Sequence, residues 1–312
     1  MPKIPSLEEM LQAGVHFGHK TSRWHPKMEP FIHTARGGVH IINLEETQKQ
    51  LEEVLKYVSD IATRGGVILF VATKRQAQEL IKQYAEEASM PYVCGRWLGG
   101  TLTNFGEIRK IVKRYKKLKE QQDKGELSKY TKKERLMISR EIADMERKIY
   151  GIRDLEVIPD AVLVIDMKVE KTAVEEAAQK NVPVIAVCDT NVNPDKAKMI
   201  IPANDDAVKS IQMMLRLISE AIVEGKKAGT QLVNAAAKKS DQVEPALVKS
   251  TKKTEDTSDD VDVDDEVEVT EDSKAAMEEL DLMLHDKILS EKEEEEKNPG
   301  KPSQAQSGKI KK

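Results

Sequence analysis

Three short apolar runs constrain the fold of this chain more than any other feature of its sequence. They cover residues 67–72, 161–165 and 182–187, and Val, Ile, Leu, Ala and Phe dominate them. A strand that is buried on both faces is apolar throughout, as strands of parallel sheets are. The runs alternate with segments of helical periodicity, among them residues 75–88 and 169–180. We therefore predict an α/β fold, a three-layer sandwich of right-handed strand–helix–strand units around a mostly parallel sheet.

A helical insertion interrupts the predicted α/β domain, which takes up residues 1–103 and 151–229. The insertion covers residues 104–150 and consists of two helical segments that flank residues 124–128. Each segment has a narrow apolar seam and charge on its remaining faces, which is typical of an antiparallel helical hairpin of the coiled-coil type. Because charged faces resist burial, we expect the hairpin to project from the α/β domain.

Capping signals predict where several helices begin. A Ser, Thr or Asn followed three residues later by Glu is typical of a capping box. We assign three such pairs to helix starts: Ser6 with Glu9, Asn104 with Glu107, and Thr131 with Glu134. Asp205 is the expected N-cap of the last helix, which we predict to end near Val223.

The C-terminal part of the chain differs in composition from the rest. Residues 1–230 hold 37 Lys and Arg against 32 Asp and Glu, a net charge of +5, whereas residues 231–312 hold 13 against 22, a net charge of −9. The second part also contains no Phe, Trp or Tyr. Few large apolar groups and dense acids favour disorder. We therefore predict a disordered acidic tail over residues 230–312, with a transient helix at 275–289.

Several protein classes do not fit this sequence. The two cysteines, Cys94 and Cys188, are too few for a disulfide scaffold or a Cys-rich zinc module, and they fit a reducing compartment. No apolar run reaches the ~18 residues of a membrane span, and the N-terminus lacks the pattern of a secretory signal. We expect a cytoplasmic protein without a membrane partner.

The predicted hairpin carries an excess of positive charge. Residues 109–153 hold 16 Lys and Arg against 7 Asp and Glu, a net charge of +9. Crowded like charges are unfavourable unless a polyanion neutralises them, and RNA phosphates do so with release of counterions. The alternative is a charged face that is merely solvated. The candidate RNA contacts are Arg109, Lys110, Lys113, Arg114, Lys116, Lys117, Lys119, Lys132 and Lys133.

A second basic segment covers residues 14–36, which we predict to be an ordered loop followed by a β-hairpin around residues 36–38. Cations interleaved with aromatic rings suit RNA, because flat rings stack on bases while cations meet phosphates. The candidate contacts are His16, His19, Lys20, Arg23, Trp24, His25, Lys27 and Arg36.

Two other roles are open for the histidines of this segment. Five of the six histidines fall within residues 16–40, so some could converge on a divalent metal such as zinc with aspartates at strand ends, although no established ligand spacing occurs. The candidate ligands are His16, His19, Asp189 and Asp205. The third alternative is that these histidines only form structural hydrogen bonds.

A glycine-containing loop precedes the hairpin at residues 95–104. Its small residues could present backbone N–H groups to a phosphate, or they could form a tight turn. The loop lacks the ending of a Walker motif, and no glycine follows the first apolar run, where the dinucleotide fingerprint belongs. A nucleotide-dependent enzyme is therefore disfavoured. Further candidate RNA contacts are Lys74, Arg75, Arg96, Trp97, Thr101 and Asn104.

Several aspartates lie at or after predicted strand ends: Asp166, Asp189, Asp195, Asp205 and Asp206. Paired carboxylates there would suit Mg²⁺ or acid–base chemistry, but a turn at Asp195 is the simpler interpretation. No nucleophile lies near a base in the sequence. We therefore predict no catalytic residue, no required cofactor and no small-molecule substrate; a regulatory adaptor that uses the hairpin for protein partners is the remaining alternative.

Several sequence blocks resemble the bacterial small-subunit ribosomal protein S2 family. They are GVHFGHK at 14–20, RWHPKM at 23–28, GVHIINL at 38–44, VATKRQA at 71–77, RWLGGTLTN at 96–104, PDA at 159–161 and VCDTN at 187–191. The resemblance covers residues 5–228 in order. The tail departs from it, so no family role is transferred to the tail.

The resemblance implies a flavodoxin-like parallel sheet with an inserted helical hairpin. It also implies a structural role in translation: binding to small-subunit rRNA of the 16S type, on the solvent side near the junction of head and body. The implied protein partners are neighbouring small-subunit proteins, among them ribosomal protein S1, which the family helps to dock.

Overall fold

The computed structural model describes residues 2–240. The predicted tail beyond residue 240, including the helix predicted at 275–289, lies outside the described residues. The helices are α1 (Leu7–Ala13), α2 (Leu44–Thr63), α3 (Arg75–Glu87), α4 (Phe105–Asp123), α5 (Lys132–Ile149), α6 (Lys171–Gln179) and α7 (Val208–Ser240). The strands are β1 (Phe17–Lys20), β2 (Ile32–Arg36), β3 (Val39–Ile42), β4 (Ile68–Val71), β5 (Tyr92–Val93), β6 (Ala161–Ile165), β7 (Val184–Cys188) and β8 (Met199–Pro202).

Five strands form a parallel sheet in the spatial order β5–β4–β6–β7–β8. Numbered along the chain, these strands follow the order 2-1-3-4-5, which is the flavodoxin-like arrangement of doubly wound sheets. The predicted α/β fold class is confirmed. The strand order reverses between β4 and β6. Side chains that follow these two strands therefore lie close together at the carboxyl ends of the strands.

Successive residues of the central strands point into two separate cores. In β6, Leu163 and Ile165 pack with α2, α3 and α7, while Val162 and Val164 pack with α6 and the helical insertion. All five β6 residues are buried. This two-sided burial explains why the sequence shows continuous apolar runs instead of alternation.

The segment before the parallel sheet contains more structure than predicted. The expected hairpin is present as β2 and β3, but the predicted loop over residues 14–36 also contains β1, which pairs antiparallel with β3. Two 3-10 helical turns follow β1, at Thr21–Arg23 and Pro26–Phe31. No residue of β1 is buried, and short 3-10 turns have no sustained hydrophobic period, so the sequence pattern indicated only a loop.

Helix α7 is longer than predicted, because it continues past Val223 to Ser240. Two glycines let it lie against α2: a Cβ added at Gly225 would come within 2.5 Å of the Ser59 carbonyl oxygen, and one at Gly229 within 2.4 Å of the Thr63 carbonyl oxygen. Glycine usually weakens a helix interior. Here its lack of a side chain permits the close contact, so the glycines did not mark the end of the helix.

The insertion folds into α4 and α5, joined by a short connection that contains a 3-10 turn at Glu126–Lys129. Ile108, Val112, Tyr115, Ile142 and Ile149 are buried, and they belong to the same core as one face of the sheet. The base of the hairpin is therefore continuous with the α/β domain.

The helix starts agree with the sequence in two cases and differ in two. Capping boxes occur at Ser6 and at Thr131, as predicted. The predicted box at Asn104 is wrong, because its side chain accepts no capping hydrogen bond. Asp205 is not the N-cap of α7 either: the Asn204 side chain accepts from the N–H groups of Asp206 (2.9 Å) and Ala207 (3.1 Å).

Candidate nucleic-acid interface and strand-end cluster

The outer face of α4 presents cations whose charge the described part of the chain leaves uncompensated. Arg109, Lys113 and Lys117 are spaced four residues apart, so they lie along one side of the helix. All three are exposed, and none has an ion-pair or hydrogen-bond partner within residues 2–240. A row of uncompensated cations can neutralise backbone phosphates of a nucleic acid.

Other hairpin cations already have acidic partners. Arg114 lies 2.7 Å from Glu141 and Lys116 lies 3.0 Å from Asp154. Two more of the predicted contacts are paired: Lys110 with Glu107 at 2.6 Å and Lys119 with Glu146 at 3.9 Å. Sequence alone did not separate these paired cations from the uncompensated ones. On α5, Lys132 and Lys133 are exposed and have no partner among the described side chains.

The predicted contacts in the N-terminal segment also divide into two groups. Lys20, Arg23 and Arg36 are exposed and unpaired within residues 2–240. Lys27, in contrast, forms an ion pair with Asp195.

The aromatic and histidine side chains of this segment are held by the protein itself. Trp24 is half-buried, and its ring centroid lies 5.2 Å from that of His40. The His25 backbone N–H donates to the Thr190 carbonyl at 2.8 Å, and its ring accepts from the Lys27 N–H at 3.2 Å. These contacts fix the segment against the sheet.

The glycine-containing loop at residues 95–104 does form a cradle of hydrogen-bond donors, but a carboxylate of the protein occupies it. Glu176 on α6 accepts from Trp97 Nε1 (3.0 Å) and from the N–H groups of Gly100 (2.8 Å), Leu102 (3.0 Å) and Thr103 (3.2 Å), and also from Thr103 Oγ1 (3.1 Å). Burial alone would raise the pKa of Glu176, but these donors outweigh it and the pKa is lowered. The loop is therefore anchored from inside rather than open to a phosphate.

This anchoring decides which loop residues face solvent. Trp97 and Thr101 are buried, so they pack inside the protein. Arg96 and Asn104 are exposed, and so is Arg75 at the start of α3. Neither arginine has a partner within the described residues. Glu176 thus holds in place a loop that carries an uncompensated arginine and leads into α4.

Lys74 lies in an acidic cluster at the carboxyl ends of the parallel strands. Its Nζ is 2.9 Å from Asp166, 2.9 Å from Asp205 and 2.7 Å from Asp206. Burial alone would lower the pKa of Lys74, but the three carboxylates raise it well above its usual range. Lys74 was predicted to contact RNA, whereas here it compensates buried carboxylates.

The carboxylates of this cluster are fixed by local backbone geometry. Asp166 follows β6 in a left-handed conformation, with φ of 65°, and accepts from the N–H groups of Lys168 and Val169. Asp205 is fully buried. The pKa of Asp205 is raised to about 7; burial is the main cause and the Asp166 carboxylate adds to the rise, while Lys74 opposes it.

His19 joins the cluster from β1. Its Nδ1 forms a hydrogen bond with the Asp189 carboxylate. Its Nε2 lies 3.0 Å from Asn191 Nδ2 and 3.9 Å from Asp206 Oδ2. The hydrogen bond to Asp189 is the main reason that the pKa of His19 is raised. Gly18 permits this approach, since a Cβ there would lie 3.0 Å from the His40 carbonyl oxygen and 3.0 Å from Thr190 Cγ2.

One group of side chains here has the donors to hold a divalent cation. Ligand atoms of His19, Asp205 and Asp206 all lie within 4.8 Å of one another. The predicted set differed: it included His16, which is not in this group, and Asp189, which is bonded to the other nitrogen of His19. A carboxylate in that position orients a metal-binding histidine.

Two residues that organise the site were missed by sequence reasoning. Glu176 and Glu170 are buried acids on α6 or at its start, and Glu170 accepts from the N–H and the hydroxyl of Thr73, both at 2.6 Å. Burial is the main reason that the pKa of Glu170 is raised. The available signal was an acid at a core position of a helix, beside Ala173 and Ala177.

A membrane-spanning role finds no support in the part of the chain that the structure describes. Within residues 2–240, no helix combines the length and the apolar character that a bilayer crossing requires.

Comparison with known proteins gives a consistent result. The family model described as ribosomal protein S2 matches residues 10–225. A small ribosomal subunit protein uS2 from Coprothermobacter proteolyticus is 42% identical over 243 residues, which is 78% of this chain and 91% of that protein. Another uS2 protein, from Fusobacterium nucleatum, is 47% identical over 223 residues, or 71% of this chain and 90% of that protein.

Proposed function

The chain belongs to the ribosomal protein S2 family, and from this premise we propose that it binds small-subunit rRNA mainly through the outer face of α4. Membership makes it a structural, non-enzymatic constituent of the small ribosomal subunit that acts in translation, in the cytoplasm of bacteria. Association with rRNA and other ribosomal proteins follows from that role. What we propose is the identity of the residues that contact rRNA.

One observation carries the proposal: Arg109, Lys113 and Lys117 form an exposed row with no partner among residues 2–240. Such cations gain most from phosphates, because contact releases counterions and breaks no existing ion pair. The other predicted contacts outside the hairpin that meet the same criteria would extend the surface: Lys20, Arg23, Arg36, Arg75 and Arg96. On α5, Lys132 and Lys133 are also exposed and without a partner among the described residues, but they border the exposed Leu136 and Met137, so we do not assign them to this surface.

Two matched triple variants of the full chain test the proposal by binding to small-subunit rRNA over a range of salt concentrations. Arg109→Gln/Lys113→Gln/Lys117→Gln should reduce the slope of log affinity against log salt by about two to three, since each phosphate contact contributes roughly 0.7 to 0.9. The control removes three cations that already have acidic partners, as Arg114→Gln/Lys116→Gln/Lys119→Gln. Its slope should change by less than half as much.

If both triple variants lowered the slope equally, only the total charge would matter. That result would reject the assigned surface. An unchanged slope in the first triple would remove α4 from the rRNA interface.

The finer assignments rest on the family relationship alone. We place the protein on the solvent side of the subunit near the head–body junction, where it helps to dock ribosomal protein S1. Small subunits that are depleted of this chain should retain less S1 in sedimentation, and adding the purified chain should restore it. Full retention of S1 by depleted subunits would reject this role.

The strand-end cluster supports a second, separate proposal, which is a divalent cation such as zinc held by His19, Asp205 and Asp206. The three acids Asp166, Asp205 and Asp206 outnumber Lys74, and an additional cation would offset the excess negative charge. Equilibrium dialysis of zinc should give one ion per wild-type chain and none for His19→Ala, with the exposed His33→Ala as control. Equal binding by all three would reject the site.

A further inference from the structure

Helix α5 has a second apolar stripe in addition to the seam that faces α4. The inner seam consists of Ile138, Ile142, Met145 and Ile149, which pack in the core. Leu136 and Met137 lie on the other side of the helix, where they are 52% and 61% exposed. Neither belongs to a hydrophobic cluster within the described residues. Adjacent exposed Leu and Met side chains cost free energy in water unless a partner covers them.

Cations surround this outer stripe. Lys133 and Arg140 lie three or four residues from Leu136 and Met137, at the helical spacing that places all four on one face. Lys132 and Arg135 lie beside them in sequence. The side chains of these four cations are exposed, and none of these side chains forms an ion pair or hydrogen bond with the described residues. The outer face of α5 therefore combines an apolar centre with a basic rim.

This composition distinguishes α5 from α4. The outer row of α4 is purely cationic, whereas that of α5 places two apolar side chains between its cations. RNA is recognised by cations and by planar groups that stack on bases, and neither Leu nor Met is planar. Protein interfaces, in contrast, are enriched in Met and Arg and have an apolar centre with a polar rim.

We propose that the outer face of α5, formed by Lys133, Leu136, Met137 and Arg140, docks an acidic amphipathic segment of a neighbouring small-subunit protein. The partner would cover Leu136 and Met137 with apolar side chains and place carboxylates opposite the cations. A second copy of this chain does not fit, because it would bring two sets of like charges together. The inference uses the place of the chain in the small subunit and does not depend on α4 as the rRNA-binding face.

Photocrosslinking in assembled small subunits tests the proposal with the full chain. We would place p-benzoylphenylalanine at position 137, at position 117 on α4, and at position 157 as a control, because Val157 is 62% exposed and lies outside the hairpin. The expected adduct at 137 is with a protein segment that has apolar residues at helical spacing and at least two carboxylates among them. An adduct of position 137 with rRNA, or a yield no higher than at position 157, would overturn the proposal.

A double variant provides a second readout. Leu136→Ser/Met137→Ser should lower the occupancy of one neighbouring protein in purified subunits at least threefold, with rRNA affinity unchanged. Val157→Ser/Val169→Ser removes two comparably exposed residues and should change no occupancy. Unchanged occupancy of every protein in the first variant would overturn the proposal. Position 117 reports on the rRNA interface separately, so failure there would leave this inference intact.

Discussion

Lysines at the strand ends and lysines on α4 have the same chemistry and opposite surroundings. Lys74 lies within 3 Å of three carboxylates, whereas Lys113 and Lys117 have no acidic partner within residues 2–240. A cation that the protein compensates internally stabilises the fold. A cation that the protein leaves uncompensated is available to an external polyanion, and we expect this difference to distinguish the rRNA interface from the scaffold.

Removing the compensated lysine should have the largest effect on stability. Lys74→Ala leaves Asp166, Asp205 and Asp206 without their cation, and loss of one partner from a buried ion pair costs about 3 kcal/mol or more. We expect the free energy of unfolding in urea to fall by about that amount. Arg75→Ala is the control, since its exposed side chain should matter by less than about 0.5 kcal/mol. Similar values for both variants would remove the distinction between the two regions.

The carboxylate that anchors the glycine-containing loop should have an intermediate, pH-dependent effect. At pH 7, Glu176→Gln should lower the free energy of unfolding by about 2 kcal/mol, because an amide cannot accept from all five donors. The ordinary pKa of a glutamate, 4.5, is lowered in the folded protein. The stabilisation by Glu176 is therefore present above pH 4.5 and is lost as the pH falls through the folded-state pKa.

Unfolding measured between pH 7 and pH 3 checks this prediction. The difference between wild type and Glu176→Gln should shrink below about pH 4.5. The control is Glu175→Gln, since Glu175 is exposed and lies 3.6 Å from Lys171. A pH-independent difference for Glu176→Gln would contradict the charge-based account of the loop.

The uncompensated row on α4 should have the smallest effect on stability. Arg109→Gln/Lys113→Gln/Lys117→Gln removes no ion pair within the described residues and relieves repulsion between neighbouring cations. Thermal unfolding should therefore change by the equivalent of about 0.5 kcal/mol or less. A large destabilisation would show that these cations stabilise the fold. They would then not differ from Lys74 in the way proposed here.

The sequence predicted the sheet well because two-sided burial leaves a strong pattern. Continuous apolar runs at residues 67–72 and 161–165 required strands covered on both faces, and the structure has them as β4 and β6. The sequence did not predict β1, because none of its four residues is buried and the strand therefore has no apolar pattern. Helix α7 was predicted too short, since Gly225 and Gly229 suggest a helix end unless the approach of α2 is known.

The candidate site was harder to predict, because pairing of charges is a long-range property. Lys74 and Asp205 are separated by 131 positions in the chain and lie 2.9 Å apart. Glu176 reaches the loop at residues 97–103 in the same way. Sequence indicated which residue types gather in the hairpin and the N-terminal segment, but only the fold distinguishes the cations with partners from those without.

A high-resolution map of assembled small subunits that contain this chain would show directly which of its cations contact rRNA. We expect rRNA phosphate oxygens within about 4 Å of Arg109, Lys113 and Lys117, while Lys74 keeps its carboxylate partners. Finding those three side chains in bulk solvent, with rRNA held through the paired cations instead, would contradict this expectation.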